Sequence, residues 1–235
     1  MKFDRKSVIV ALAAITTLIA ATPILAQDTL PLDKPCGASG SCMPSVVSST
    51  VNSAPTGSVL EEQFNSVDAW ETYIDPERGI ELSVKNGIYS AYTQSPGFVW
   101  GLNDEVHTDV VLEVQAVPLS IYSSNGFGLM CRADDGNGYF FMITGSGHYA
   151  IFVGTDDAFQ PLVNWQASTA IKSGLDNNLI RAECVGNQLS LYANNQQLVA
   201  VTDNTYQQGF AGMAVAAADG EPAYVGFDNM TIFQP

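Results

Sequence analysis

The chain has 235 residues, is 46% hydrophobic and 14% charged, and carries a formal net charge of −15 at pH 7. A chain this acidic is repelled by nucleic acid and by anionic membrane surfaces, so neither is expected as a partner. Solubility and self-repulsion outside the cell account for the acidity without any specific cationic partner.

The N-terminus places Lys2, Arg5 and Lys6 before an apolar run from Val8 to Leu25 that closes on Pro23-Ile24-Leu25-Ala26. This is the layout of a secretory signal peptide over 1–26, cut after Ala26. The run is also about long enough to span a bilayer as an uncleaved anchor, but Pro23 and the Ala-rich core favour cleavage. No second apolar run of spanning length follows, so the mature protein is expected to be secreted and free of the membrane. Residues 27–59 are rich in Pro, Ser, Thr and Gly and read as a linker or flexible arm. From Leu60 the composition changes, and 60–235 is long enough for one domain with a sizeable core.

That domain reads as strands throughout. Ile80–Val84 and Gly87–Thr93 flank a Lys85-Asn86-Gly87 turn. Thr108–Val117 alternates, with Val110, Leu112, Val114 and Ala116 on one face and Glu113 and Gln115 on the other. Phe127–Arg132 and Tyr139–Ile143 form a hairpin around Asp134-Asp135-Gly136-Asn137-Gly138, residue types that tolerate positive φ. Tyr149–Val153 follows Gly145-Ser146-Gly147. Leu179–Val185 and Gln188–Ala193 are joined by Gly186-Asn187, and Leu198–Thr202 follows Asn194-Asn195. Phe210–Ala216 and Tyr224–Phe233 close the domain. Turn signals at this spacing, with no helix-period stretch beyond the leader, are the pattern of a sandwich or barrel.

Four cysteines follow the leader and suit an oxidising compartment. Cys36 and Cys42 enclose a short Gly/Ser loop and are expected to bridge locally, which leaves Cys131 and Cys184 to pair inside the domain. Closing the longer loop is worth about 4 kcal/mol on the chain-entropy argument, against about 2 for the short one. The alternative is that Cys131 and Cys184 are free buried thiols. Neither C-x-x-C spacing nor histidine partners point to zinc.

Several pieces, taken in order, carry a resemblance. They are Glu61-Glu62-Gln63-Phe64 with Trp70, Gly128-Leu129-Met130-Cys131-Arg132, Gly147-His148-Tyr149, Asn178-Leu179-Ile180-Arg181, Gln208-Gly209-Phe210 and Phe227-Asp228-Asn229. Their order over about Leu60–Pro235 resembles the concanavalin A-like jelly-roll modules of bacterial extracytoplasmic proteins. It is also similar to the 3-keto-disaccharide hydrolase-like family of the same fold. The resemblance implies an all-β, two-sheet antiparallel jelly-roll sandwich with one curved sheet, whose concave face often binds carbohydrate. A fold alone does not fix a function.

No catalytic residue is assigned. Glucanases of this fold carry paired carboxylates on one strand face, and Glu113 lacks such a partner. No Gly-x-Ser-x-Gly elbow is present, and His107 and His148 read as surface residues. Sugar sites need flat aromatic faces and a few orienting polar groups, which points to Trp100, Tyr122 and Trp165 in loop-like or edge segments. Arg132, on the face opposite Cys131, joins them as a candidate hydrogen-bond donor. Packing is the competing role for the tryptophans, and an ion pair with Asp134, Asp135 or Glu113 for Arg132. Jelly rolls often clip their first and last strands with a structural Ca2+, for which Glu62 and Asp228 are the candidate ligands. The expected function is non-catalytic recognition of a polysaccharide or cell-surface glycan. The alternatives are hydrolysis of a modified disaccharide and a protein–protein or cell-envelope interaction module.

Overall fold

The computed structural model describes residues 58–235 except Val67, Asp156 and Asp157. The expected leader, nearly all of the arm, and Cys36 and Cys42 lie outside the described residues. In chain order the strands are β1 (Ser58–Glu62), β2 (Tyr73–Asp75), β3 (Ile80–Lys85), β4 (Ile88–Thr93), β5 (Gly97–His107), β6 (Val110–Pro118), β7 (Gly126–Asp134) and β8 (Asn137–Thr144). They continue as β9 (His148–Thr155), β10 (Ala158–Ala167), β11 (Asn178–Val185), β12 (Gln188–Ala193), β13 (Gln196–Thr202), β14 (Gly209–Ala217) and β15 (Ala223–Phe233).

These strands form the two sheets of a jelly-roll sandwich, paired antiparallel throughout. The nine-stranded sheet runs β13-β12-β11-β6-β15-β4-β3-β2, with β1 also on β15. The six-stranded sheet runs β10-β9-β8-β7-β14-β5. Alternation dictates the core between them. Val110, Leu112, Val114 and Ala116 of β6 point inward as expected, against Phe127, Leu129 and Phe141 of the other sheet. Each of these valines, leucines and phenylalanines contributes about 1.5–3 kcal/mol by leaving water. Cys131 of β7 and Cys184 of β11 are disulfide-bonded across the sandwich, with Cα atoms 6.7 Å apart and a sequence separation of 53.

The six-stranded sheet also has an apolar outer face. Phe98, Trp100 and Leu102 of β5, Met130 and Ala133 of β7, and Phe140 and Met142 of β8 form a second cluster there, with Phe152, Phe159 and Trp165 packed against it. Phe98 and Phe159 stack at 4.2 Å and 11° between ring planes. They belong to opposite edge strands, β5 and β10, which a flat sheet would hold about 24 Å apart at the usual strand spacing. The sheet is therefore strongly curved with this face inside the curve. Small residues in the middle strands permit it. At Gly128 of β7, an added Cβ would lie 1.9 Å from the carbonyl oxygen of Phe141.

β1, β2, β5 and β10 were not evident from sequence patterning. Gly97–Asn103 of β5 is buried on both faces, so it shows no alternation. In β10, Pro161 and register shifts at Pro161/Val163 and Val163/Gln166 break the period. β2 has only three residues.

Candidate functional site

The structure removes two of the candidate ligand-binding residues from solvent. Trp100 is 2% exposed and packs edge-on against Phe140 at 6.1 Å, so its role is packing. Arg132 is also 2% exposed. The residue has φ 50 and sits in a register shift between Cys131 and Asp134, which reverses the alternation of the strand. Its guanidinium thus lies on the inner side with Cys131, not opposite it. Nε donates to the Thr108 carbonyl (2.9 Å) and Nη1 to the Tyr206 carbonyl (3.1 Å). Nη2 donates to Asp109 Oδ1 (3.1 Å) and the Cys184 carbonyl (3.3 Å). The ion-pair partner is Asp109, not Asp134, Asp135 or Glu113. Four of the five bonds a guanidinium offers are engaged within the protein, so Arg132 ties loops together at this end of the sandwich.

His107 is likewise not a surface residue. It ends β5 at 6% exposure. Asn103 accepts the Ala211 amide on Oδ1 at 3.0 Å, which leaves its Nδ2 to donate to His107 Nε2 at 3.2 Å. The imidazole is therefore neutral with its proton on Nδ1. Burial holds its pKa below 6.5, opposed by Glu105. Glu62 and Asp228 come near each other in register, since Glu62 pairs with Met230 on β15. Each carboxylate, however, accepts a nearby backbone amide, Phe64 for Glu62 and Asn229 for Asp228. Among the described residues no group of three or more His, Cys, Asp or Glu gathers there or elsewhere to hold a metal.

Trp165 keeps part of its surface exposed at the rim of the curved face, edge-on to Phe152 at 5.7 Å. Tyr122 belongs to a different place, the opposite end of the sandwich from Arg132. There β6 and β8 end and β7 and β15 begin. A shallow surface depression, with room for about one water molecule, lies there, lined by Pro118, Ser120, Tyr122, Ser123, Asn125, Gly145, Gly174 and Tyr224, among others.

Close backbone contacts build its walls. Leu119 N donates to the Tyr224 carbonyl and Ser146 N to the Ser123 carbonyl, both at 2.8 Å. Gly174 N donates to the Gly145 carbonyl, also at 2.8 Å. Glycine at 145 eases this approach, because a Cβ there would lie 3.0 Å from the Gly174 carbonyl oxygen and 3.3 Å from Ser123 Cα. Asn125, buried at 4%, donates to the Pro222 carbonyl (3.0 Å) and accepts the Ala218 amide (3.1 Å), which fixes the loop before β7 to the turn before β15. Ser124 beside it donates to Glu221.

Two tyrosines stand at this recess with faces available to solvent, Tyr122 at 40% and Tyr224 at 39% exposure. Tyr224 is steadied edge-to-face by Tyr92 at 5.7 Å. Leu119 and Ile121 of the same loop are also exposed. Among the described residues that line the recess none is charged, and Ser120 and Ser123 contribute hydroxyls. Chemically this is a neutral, part-aromatic surface with a few hydroxyl groups and no converging carboxylates. Tyr224 had a legible signal. It is an aromatic on the solvent phase of a strand whose Ala223, Val225 and Phe227 point inward.

No family model matches the chain, and no curated protein does. Solved structures do. A carbohydrate-binding module, CBM66 from Bacillus subtilis, is 17% identical, covering 71% of this chain and 96% of its own, with a TM-score of 0.55. A Bacillus subtilis protein of unknown function with a galectin-like fold is 10% identical over 77% of this chain and 97% of its own, at 0.57. The beta-glucanase of Bacillus licheniformis is 12% identical over 77% of this chain and 99% of its own, at 0.54. The likeness is one of fold, a two-sheet antiparallel jelly-roll sandwich shared with these structures.

Proposed function

We propose that this domain is an extracytoplasmic recognition module that binds carbohydrate at the recess between Tyr122 and Tyr224, without cleaving it. The observation that carries the reading is the pair of exposed tyrosines at one uncharged, hydroxyl-bearing recess. Tyrosine rings offer apolar faces to sugar C–H groups while serine hydroxyls orient the ligand. A neutral lining on a strongly acidic chain suits an uncharged glycan better than an anionic one. The likeness to a carbohydrate-binding module supports the ligand class. The leader-like N-terminus and the Cys131–Cys184 disulfide support an oxidising setting.

The test is retention of the full chain on an array of glycans and polysaccharides, with assay of the supernatant for released sugar. Tyr122→Ala and Tyr224→Ala are each expected to weaken retention by about fivefold or more, for loss of about 1 kcal/mol of ring contact. Thermal unfolding should be nearly unchanged, because both rings are substantially exposed. Retention that survives both substitutions would overturn the site. Release of sugar would move the case to the hydrolase reading.

A further inference from the structure

A sandwich that does not close into a barrel leaves strand edges with unpaired N–H and C=O groups, and soluble proteins blunt them with charges, proline, bulges or short strands. The edges of this molecule differ in that respect. β2 is three residues long and ends on Asp75, ion-paired with Arg78 at 3.6 Å. β10 carries Pro161 and two register shifts. On β5, Glu71 covers the edge by donating its amide to the Leu102 carbonyl (3.0 Å) and accepting the Leu102 amide on Oε2 (3.2 Å), and exposed Asp104 and Glu105 follow. β1 includes Glu61 and Glu62.

β13 has a bulge at Leu198, where its register with β12 shifts, but none of the other devices. Gln196–Thr202 contains no charged residue, no proline and no glycine. It pairs with β12 on one side, and among the described residues no strand lies on the other. The whole stretch from Gly186 to Thr202, which holds the β12–β13 hairpin, is uncharged in a chain of net charge −15.

We propose that β13 is a self-association edge, at which two copies of this chain pair antiparallel about a twofold axis and join their nine-stranded sheets. A twofold pair must be self-complementary. Centred on exposed Ala200, beyond the bulge, it sets Val199 of each copy against Val201 of the other, with the smallest side chain of the strand on the axis. Charge selects the same contact. Two acidic molecules repel at most approaches, and the uncharged hairpin is where they meet without like charges face to face. This inference stands independently of the glycan reading.

The measurement is sedimentation equilibrium of the full chain over a wide concentration range. The expected mass is twice that of the chain at high concentration. Ala200→Lys and Ala200→Asp, at an exposed position that faces itself across the axis, are each expected to weaken association about tenfold or more by setting like charges opposite one another. Asp104→Lys on the β5 edge should leave it intact. Far-UV circular dichroism checks that each variant is folded, and if one is not, the other carries the test. A single-chain mass at every concentration would overturn the proposal. So would a dimer that survives both Ala200 substitutions, or one lost equally in Asp104→Lys.

Discussion

Asn103 illustrates how much one buried side chain settles. By spending its oxygen on the Ala211 amide it can only donate to His107, and so fixes a neutral imidazole. The unfolded chain protonates this histidine near its ordinary value of 6.5, and the folded chain does so only at lower pH. The sign follows. Stabilisation from neutral His107 is whole above about pH 6.5 and is lost as pH falls through the folded pKa. His107→Gln, which can still accept from Asn103, should therefore flatten the loss of stability between about pH 7 and pH 5. Urea midpoints of both proteins at the two pH values measure this. Parallel acid-side losses would show that His107 contributes nothing to them.

At the scale of elements, the curvature of the six-stranded sheet is held by rings that meet from its two edges. Phe98, 2% exposed, touches Phe140, Phe152 and Phe159 at once. Phe98→Ala should cost about 3–5 kcal/mol, because no neighbour can fill the space without flattening the sheet. Equilibrium denaturation decides it, and a loss below about 1 kcal/mol would mean the stack is incidental to stability. The sequence patterning recovered the strands that alternate, such as β6 and β11, and their hairpin turns. It could not recover β5, which is apolar on both faces because its sheet has a core on each side. The site residues fared the same way. Tyr122 was legible as an apolar residue in a loop. Arg132 was not, because one positive φ at the register shift turns its side chain to the other face. Trp100 looked available for a ligand only while its strand went unrecognised.

Over the whole molecule, the two ends of the sandwich divide the labour. One is tied by Arg132 and by the Cys131–Cys184 bridge, and the other leaves the tyrosine recess accessible. Removing the bridge in a Cys131→Ala, Cys184→Ala double variant should lower stability by about 4 kcal/mol, since it frees a loop of sequence separation 53 in the unfolded chain. Chemical denaturation with unchanged glycan retention below the transition is the expected pair of results. A variant as stable as the parent would show that packing alone holds the two sheets in place.

The position of β15 has a consequence in time. Its residues pair with β6 along one side and with β4 and then β1 along the other. Until Ala223–Phe233 has been made, those earlier strands have no bridge between them, and the nine-stranded sheet is three separate pieces, β13-β12-β11-β6, β4-β3-β2 and β1. A chain emerging from the ribosome therefore cannot complete its fold piece by piece. Closure waits on contacts between segments far apart in sequence, which are slow to form. Such a polypeptide stays incompletely folded until its last described strand has been made.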